Sequence, residues 1–528
     1  MSATLFEQTL MVILIAIVVG ALLAFPTSSL LLWFYRRAVL RAMSTSGDES
    51  VPVGATIAGT AAPPKPLRFA SLSAKAAPHA SLPKAWRAAA IYLVAGAAYA
   101  LVLAFVTLLD ADKLHASLIK AFFIFWICYW PAVLAVIVVA AEDRARKILV
   151  VLGYAAVYVP LAVVICVRNF DWGWKLVTIV WVVLNGPPTV LLCLFLTRHI
   201  RSVGPLVLVF LIIALLGAHS GFVFLVLNGV GMRIAVGAGV FCLLLLAVLG
   251  WLALRWIGAL YSAKKFSDES LTVDVIFMLF GIIASLFYAN GERDWKYIAA
   301  GFVAFSAYKV VARIGFRFLP KTPCPKRLLL LRVFALGKRS ERLFDAVRKA
   351  WLRNGAMAMI AGPDLITSAV EPYEFLGFLS GKLGRTFVGD NADLGHRVAA
   401  MDSRPDPDGR YRVAEFFCRA DTWKPTMRRL VAESDAILMD LRSFSVSNQG
   451  CVYEVGRLLD MIELGRVVFL TDKTTDRSFL EATFQQQWSS LAVESPNRSS
   501  DEPTVRLFEV SRPAAAEIRA LIGRLASS

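Results

Sequence analysis

The sequence predicts a polytopic α-helical membrane domain of about nine spans, followed by a cytoplasmic α/β domain with a doubly wound parallel sheet of about five strands. Three observations support this fold class. Hydrophobic residues make up 57% of the chain and the mean hydropathy is +0.62, too apolar for an ordinary soluble enzyme. Up to Leu319 the apolar runs are long enough to cross a bilayer, which takes roughly 20 residues. Beyond Pro325 the apolar runs are short and alternate with helical patterns.

The membrane domain is predicted in three parts. Residues 1–42 form a first transmembrane anchor, interrupted at Pro26. Residues 43–85, rich in Ala, Pro, Ser and Gly, form a flexible cytoplasmic linker, because they contain too few large apolar side chains to build a core. Residues 86–320 hold the other spans. The predicted spans lie at about 9–32, 88–109, 118–140, 148–167, 176–196, 204–227, 234–254, 273–289 and 297–311.

Charge gives the orientation. The chain carries a net charge of +17, and residues 1–320 account for +13 of it. The basic residues concentrate in alternate connections between spans, which predicts a multi-pass protein with its amino terminus outside and its carboxy-terminal domain in the cytoplasm. Because the excess charge lies beside the spans, the lipid bilayer and not nucleic acid is the expected partner. The seven cysteines show no metal-ligand spacing, so no metal site is predicted and a reduced compartment is expected.

Three ionisable residues fall inside or at the edge of predicted spans: His219, Asp274 and Lys309. An intramembrane charge is a usual mark of a transported substrate. Asp274 and Lys309 lie close enough to span ends to reach the interface, and a histidine beside serine and glycine is more often a packing contact. A membrane anchor or receptor is therefore favoured over a carrier, with transport kept as a third reading.

The carboxy-terminal domain is assigned to residues 326–528. Short apolar runs alternate with amphipathic stretches, which predicts parallel strands joined by helices. A turn sequence, Pro405 to Gly409, lies between two candidate strands and predicts an inserted β-hairpin over 398–417. The predicted strands of the sheet lie at 328–336, 356–362, 436–441, 467–471 and 505–510.

The stretch 434–472 is the centre of this domain: a buried strand, a polar loop, a helix and a second buried strand. Ligands of open parallel sheets bind outside the carboxyl ends of the strands, so the loop after Leu441 is the first place to expect chemistry. Glu454 follows in the next helix, among apolar neighbours, and is the candidate catalytic residue. The simpler alternatives are that Glu454 only caps the positive end of its helix, and that Asp440, at the strand end, bonds backbone amides.

The order of strand, serine-containing loop and C-x-x-E at the head of a helix resembles the Toll/interleukin-1 receptor (TIR) domain, and the nucleoside deoxyribosyltransferases have a related topology. The resemblance covers most of residues 328–475. The carboxy-terminal domain also resembles a group of bacterial membrane proteins. This second resemblance implies that the chain is located in a bacterial inner membrane. The matching residues are Leu441, Ser443, Phe444, Ser447, Cys451 and Glu454. Gly450 departs from the pattern, because the family has an aromatic residue before the cysteine.

What the resemblance implies is a nucleotide site. Many bacterial TIR domains cleave the N-glycosidic bond of NAD, which implies NAD as substrate or ligand, Glu454 against the ribose, and no required cofactor. The loop after the first strand, with Gly337, Lys338 and Arg339, is then expected to meet the pyrophosphate. The residues expected to bind the nucleotide are Gly337, Lys338, Arg339, Asp440, Ser443 and Asn448.

Two functions from different classes follow from this resemblance. The first is a membrane-anchored defence or stress effector that binds a nucleotide and cleaves its N-glycosidic bond. The second is a non-catalytic receptor or scaffold whose TIR-like domain self-associates or recruits partners. In both, the chain is expected to form a homo-oligomer.

Overall fold

The computed structural model divides the chain into two compact units: a helical unit (Met1–Tyr35, Pro83–Leu319 and Val370–Ser380) and an α/β unit (Arg36–Leu82, Pro320–Ala369 and Gly381–Ser528). It describes residues 3–44, 65–72, 83–108, 118–140, 203–227, 229–292, 299–319, 325–332, 338–361, 387–401, 403–419, 421–510 and 515–527, together with scattered residues between 149 and 178 and at 297, 375 and 378. Elements are numbered in chain order within these residues.

In the part of the chain that the structure describes, the helical unit contains α1 (Ala3–Ser44), whose last turns belong to the α/β unit, and seven further helices. They are α2 (Pro83–Leu108), α3 (Leu118–Cys128), α4 (Trp130–Val139), α5 (Gly204–Leu227), α6 (Met232–Ser262), α7 (Asp268–Glu292) and α8 (Ala300–Arg317). The predicted interruption at Pro26 is wrong, since α1 continues through it.

The prediction of about nine spans is only partly confirmed. Within the described residues, three helical segments are long and apolar enough to cross a membrane: Ala85–Val106, Ala121–Val139 and Met232–Ser262. Helices also occupy the predicted spans at 9–32, 204–227 and 273–289, and α8 covers residues 300–311 of the span predicted at 297–311. Three basic residues, Lys309, Arg313 and Arg317, interrupt the apolar stretch of α8, which lowers its mean hydropathy. The predicted spans at 148–167 and 176–196 lie largely outside the described residues.

Two of the ionisable residues predicted inside spans meet each other. Lys309 Nζ on α8 donates to Asp274 Oδ2 on α7 over 2.7 Å, and the hydroxyl of Tyr308 donates to Asp274 Oδ1 over 2.9 Å. Backbone packing fixes the same two helices, because a Cβ on Gly301 would lie 2.2 Å from the carbonyl oxygen of Gly281. The ion pair thus joins helices whose register is already set by close contact.

The α/β unit contains seven strands and six helices in the described residues. The strands are β1 (Arg68–Leu72), β2 (Leu328–Arg332), β3 (Met357–Ala361), β4 (Val413–Phe417), β5 (Ala436–Asp440), β6 (Val467–Thr471) and β7 (Thr504–Glu509). The helices are α9 (Lys338–Trp351), α10 (Asn391–Ala399), α11 (Trp423–Ala432), α12 (Gln449–Met461), α13 (Arg477–Ser489) and α14 (Ala515–Ser527).

All seven strands are parallel and lie in the order β1-β7-β6-β5-β2-β3-β4. The parallel, doubly wound sheet is confirmed, but its strand number exceeds the predicted five. Every residue of β2, β3, β5 and β6 is buried, because helices cover both faces of the sheet. One core layer includes Val455 and Phe484, and the opposite layer includes Val347 and Leu521.

The flexible linker predicted over 43–85 contains an ordered strand. Residues 68–72 pair with β7, and the indole Nε1 of Trp488 donates to the carbonyl oxygen of Lys65 over 2.8 Å. Leu67 is buried in the core of the α/β unit. The strand escapes sequence prediction because its five residues, Arg-Phe-Ala-Ser-Leu, are only half-buried at the edge of the sheet.

The predicted β-hairpin over 398–417 is wrong. The turn exists, since Asp406 N–H donates to the carbonyl oxygen of Arg410 over 2.8 Å, but the segment before it is helix α10. Leu394 and Val398, four residues apart, bury one face of this helix, and β4 pairs in parallel with β3. A helical apolar spacing at the end of α10 was therefore misread as the start of a strand.

Candidate functional site

The site predicted from the sequence lies where the winding of the sheet reverses. β2 and β5 are neighbours, with Arg332 in register with Asp440. From β2 the chain continues to β3 on one side, and from β5 it continues to β6 on the other. In doubly wound sheets the connections diverge at this point and leave a crevice at the carboxyl ends of the strands.

The order β4-β3-β2-β5-β6-β7 also matches the strand order of doubly wound dinucleotide-binding sheets, with β2 as the first strand. β1 is then an additional strand at the far edge. The topology therefore positions the segments after β2 and β5 as the walls of this crevice.

Glu454 is a buried carboxyl group on α12, only 2% exposed. Its Oε2 has no hydrogen-bond partner in the part of the chain that the structure describes. Burial raises the pKa of Glu454 to about 8, and the positive charge of Arg332 opposes part of that rise. At neutral pH the side chain is therefore mostly protonated.

The helix-capping alternative does not explain Glu454. Helix α12 begins at Gln449, so Glu454 is its sixth residue and lies in the second turn. The attraction of a carboxylate to a helix dipole falls off within the first turn. The preceding Cys451 contacts the end of β2, with its Sγ 3.8 Å from the carbonyl oxygen of Arg332. Glu454 is thus held near the carboxyl end of β2 by the packing of α12.

Asp440 and Arg442 form a closed ion pair at the end of β5. Arg442 Nε donates to Asp440 Oδ1 over 2.8 Å, and Nη2 donates to Oδ2 over 2.7 Å. The side chains of Arg442 and Asp440 are only 5% and 2% exposed, respectively. The backbone N–H of Arg442 also donates to Asp440 Oδ1, which agrees with the simpler reading of Asp440 as a backbone anchor. Both oxygens of Asp440 are therefore already occupied.

A second polar cluster joins the first turn of α9, where the structure places Arg339 instead of in the predicted loop, to the loops after β5 and β6. The guanidinium of Arg339 forms an ion pair with Asp472, and Nη1 of Arg339 lies 3.3 Å from Ser443 Oγ. Ser443 Oγ and Thr474 Oγ1 are 2.6 Å apart. Arg442 Nη2 donates to the carbonyl oxygen of Arg339 over 3.3 Å, which links this cluster to Asp440. Two predicted site residues, Arg339 and Ser443, are thus in direct contact.

The ionisation of Asp472 is set by its neighbours. Burial acts to raise the pKa of Asp472, but hydrogen bonds from Thr474 and the charges of Arg339 and Arg442 outweigh it, so the pKa is lowered. Asp472 is therefore ionised at neutral pH. It lies at the same edge of the sheet as Glu454, whose pKa is shifted in the opposite direction.

The loop after β5 has a constrained backbone. Ser443 has φ of +57°, in the left-handed region that few residues other than glycine adopt. Asn448 Oδ1 accepts hydrogen bonds from the backbone N–H of Ser445 over 2.9 Å and from its hydroxyl over 3.2 Å. The side-chain oxygen of Asn448 therefore holds the loop itself.

For two of the residues predicted to bind the nucleotide, both after β2, the structure does not describe the side-chain surroundings. Gly337 lies outside the described residues, and Lys338 is described only as the first residue of α9. Sequence reasoning also missed Arg332, Arg442, Asp472 and Thr474. Their common signal is position, because each lies at or within three residues of the carboxyl end of an apolar strand.

Within the described residues, no group of three or more His, Cys, Asp or Glu side chains is arranged to hold a metal ion.

Comparison of the chain with protein-family models, with curated proteins and with solved structures gives no match.

Proposed function

We propose that this chain is a multi-pass inner-membrane protein whose cytoplasmic, TIR-like α/β unit binds NAD and cleaves its N-glycosidic bond through Glu454. The single observation that carries the proposal is Glu454 itself: a fully buried carboxyl group with an oxygen that no described residue bonds, near the reversal point of the sheet. A buried polar atom without a hydrogen-bond partner costs about 1–3 kcal/mol, and a catalytic role is one explanation for keeping it.

The raised pKa fits a cationic substrate. The nicotinamide ring of NAD carries a positive charge, and a positive charge close to Glu454 favours the carboxylate over the neutral acid. NAD binding is then coupled to release of the Glu454 proton. The Glu454 carboxylate then forms only when the positively charged nicotinamide ring is bound. Without NAD, the side chain stays neutral and the domain contains no unpaired buried anion at this position.

The proposed reaction is hydrolysis. The bond between ribose C1′ and the nicotinamide ring nitrogen breaks, both electrons pass to the nitrogen, and the ring becomes neutral. Positive charge develops on the ribose, and the Glu454 carboxylate stabilises it by electrostatic attraction. Water then adds to C1′ and loses a proton, so the products are nicotinamide, ADP-ribose and one proton.

The polar cluster after β2, β5 and β6 supports binding of the diphosphate. Arg339 is 47% exposed in its side chain, and its present partner, Asp472, is an anion. A diphosphate oxygen is a chemically equivalent partner for a guanidinium. In the proposed complex the diphosphate takes over Arg339, while the buried Asp440–Arg442 pair keeps the loop in position.

The edge strand β1 supports the proposed topology. β1 belongs to the connection between α1 and α2, and it pairs with β7 inside the α/β unit. Residues 68–72 and 504–509 must therefore lie on the same side of any membrane. This requires an even number of crossings between residues 83 and 320, as the predicted eight spans of that region provide. The basic residues of the α1–α2 connection identify that side as the cytoplasm.

The test is nicotinamide release by the purified full-length chain incubated with NAD. The full chain is required because a fragment starting at residue 326 lacks β1 and leaves the edge of β7 unpaired. Glu454→Gln removes the carboxylate at nearly constant volume and should reduce release by at least about a hundredfold, the typical effect of losing one electrostatic stabiliser.

Glu481→Gln is the matched control, because Glu481 is a half-exposed glutamate that pairs with Arg477 on α13. It should retain full activity. Equal nicotinamide release by the Glu454→Gln variant and the unaltered chain would contradict the catalytic assignment. Silence of the unaltered chain at concentrations that allow assembly would favour the non-catalytic scaffold.

A further inference from the structure

One end of the α2–α8 helix pair carries exposed basic and aromatic side chains. The first turns of α2 lie against the last turns of α8: a Cβ on Gly315 would lie 2.7 Å from Cγ2 of Ile91. The rings of Tyr92 and Phe316 are 5.2 Å apart between centroids. The start of one helix and the end of the other are thus brought together.

This end patch consists of Arg87, Arg313 and Arg317 with Trp86 and Phe318. All three arginines are exposed, and Trp86 and Phe318 are 51% and 82% exposed. Neither α2 nor α8 contains an aspartate or glutamate. None of the three arginines forms an ion pair with any residue that the structure describes.

The next basic residue along α8 marks the boundary of the patch. Lys309, Arg313 and Arg317 are spaced four residues apart and share one face of the helix. Lys309 is already neutralised by Asp274. Among the described side chains of α2 and α8, the basic groups without an ion-pair partner therefore lie in the last turns of α8 and the first turns of α2.

We propose that this end patch binds the headgroup of an anionic phospholipid. Guanidinium groups bind phosphate through charge-assisted hydrogen bonds, and tryptophan and phenylalanine beside them suit the boundary between headgroups and acyl chains. The proposal rests on the membrane insertion of the helical unit proposed above.

The helix dipole does not account for the whole patch. A cation is favoured at the carboxyl end of a helix, which suits Arg317. Arg87 is the fifth residue of α2, close to the amino end, where the dipole gives a cation no advantage. A shared anionic ligand explains both ends at once.

The experiment uses the full-length chain, purified in mild detergent and incubated with equal amounts of phosphatidylglycerol and phosphatidylcholine carrying the same acyl chains. Native mass spectrometry then gives the ratio of the two lipids retained. The unaltered chain should retain phosphatidylglycerol preferentially. The triple variant Arg87→Gln, Arg313→Gln, Arg317→Gln should lose that preference by roughly fivefold for each charge removed.

Two further variants control the result. The triple lysine variant at the same positions keeps the charge and should keep most of the preference. Arg428→Gln, Arg429→Gln, Lys473→Gln removes three exposed charges from the α/β unit and should leave the ratio unchanged. Retention of each variant in alkaline-washed membranes is measured separately, so that failed insertion is distinguished from failed lipid binding.

Equal retention of both lipids by the unaltered chain would overturn the proposal, as would an unchanged preference in the triple glutamine variant. Inorganic phosphate in excess should not displace phosphatidylglycerol. Displacement by phosphate would also overturn the lipid assignment, because it would identify the patch as a site for a soluble anion.

Discussion

The centre and the edge of the seven-stranded sheet differ in burial and in role. At the centre, β2 and β5 are fully buried, and their carboxyl ends carry the ionisable residues of the candidate site. At the edge, β1 is half-buried and is formed by the segment between α1 and α2. The apolar surroundings at the centre raise the pKa of a buried carboxyl group, whereas the edge strand remains half-buried.

The largest expected effect comes from breaking the ion pair at the centre. Arg442→Met leaves Asp440 buried without its guanidinium partner and should destabilise the α/β unit by about 3–5 kcal/mol. The measurement is the amide exchange rate of residues 436–440 in the full-length chain. The double variant Asp440→Leu, Arg442→Met should recover most of the loss, since an apolar pair leaves no unpaired charge. No recovery would show that the packing of Arg442, and not its charge, is what the site requires.

Glu454 should make the stability of the α/β unit depend on pH. The folded state keeps the Glu454 proton up to a pKa of about 8, whereas the unfolded chain loses it near 4.5. Unfolding therefore releases a proton within this window, and stability should fall as pH rises, by about 1.4 kcal/mol per pH unit at most. Above the folded pKa the loss should level off.

Glu454→Gln should abolish this dependence, because the amide does not titrate. Amide exchange of the β5 strand, followed across the same pH window, compares the two proteins. A parallel response in both would mean that other groups control the pH dependence and that Glu454 has an ordinary pKa.

At the edge, a single proline should detach β1. Arg68 N–H donates to the carbonyl oxygen of Pro503 over 2.9 Å, so the N–H of Ala70 also points toward β7 and that of Ser71 points away. Ala70→Pro removes a ladder hydrogen bond and should cost about 1–3 kcal/mol, seen as faster exchange of β7 amides. Ser71→Pro is the matched control and should leave β7 protected; faster exchange in both variants would contradict the assigned register.

The smallest expected effect is at Ser443. Ser443→Ala removes the hydroxyl that bonds Thr474 and should cost about 0.5–1.5 kcal/mol. Ser443→Gly loses the same bond but relieves the positive φ, so it should be less destabilising than alanine. The unfolding midpoint of the α/β unit compares the two variants. A glycine variant that is less stable than the alanine variant would argue against backbone strain at this position.

The same difference between centre and edge explains what could be predicted from the sequence. β2, β5 and β6 are continuous apolar runs, and Glu454 is conspicuous because it interrupts an apolar helix. β1 offers only a short, half-buried pattern within a segment of low apolar content. Its order arises from pairing with β7, more than 400 residues away, and no local signal reports such a contact.

The sequence predicts at which edge of the sheet the polar residues of the site lie, but it does not predict which of them contact each other. Arg339 and Ser443 follow strands that the sequence predicts, so their meeting at one sheet edge was expected. The partners Asp472 and Thr474 come from the loop after β6, and the order of the strands decides that they face Arg339. Strand order is a tertiary property, so periodicity alone does not determine it.

The most direct test of the central claim is the number of protons released when NAD binds. Calorimetry at neutral pH, in two buffers of different ionisation enthalpy, measures this number for an NAD analogue whose ribose ring oxygen is replaced by a methylene group, which resists cleavage. We predict that the full-length chain releases close to one proton per analogue bound, because the cationic ring ionises Glu454, and that Glu454→Gln releases none. Binding without proton release, or release that persists in Glu454→Gln, would contradict the account.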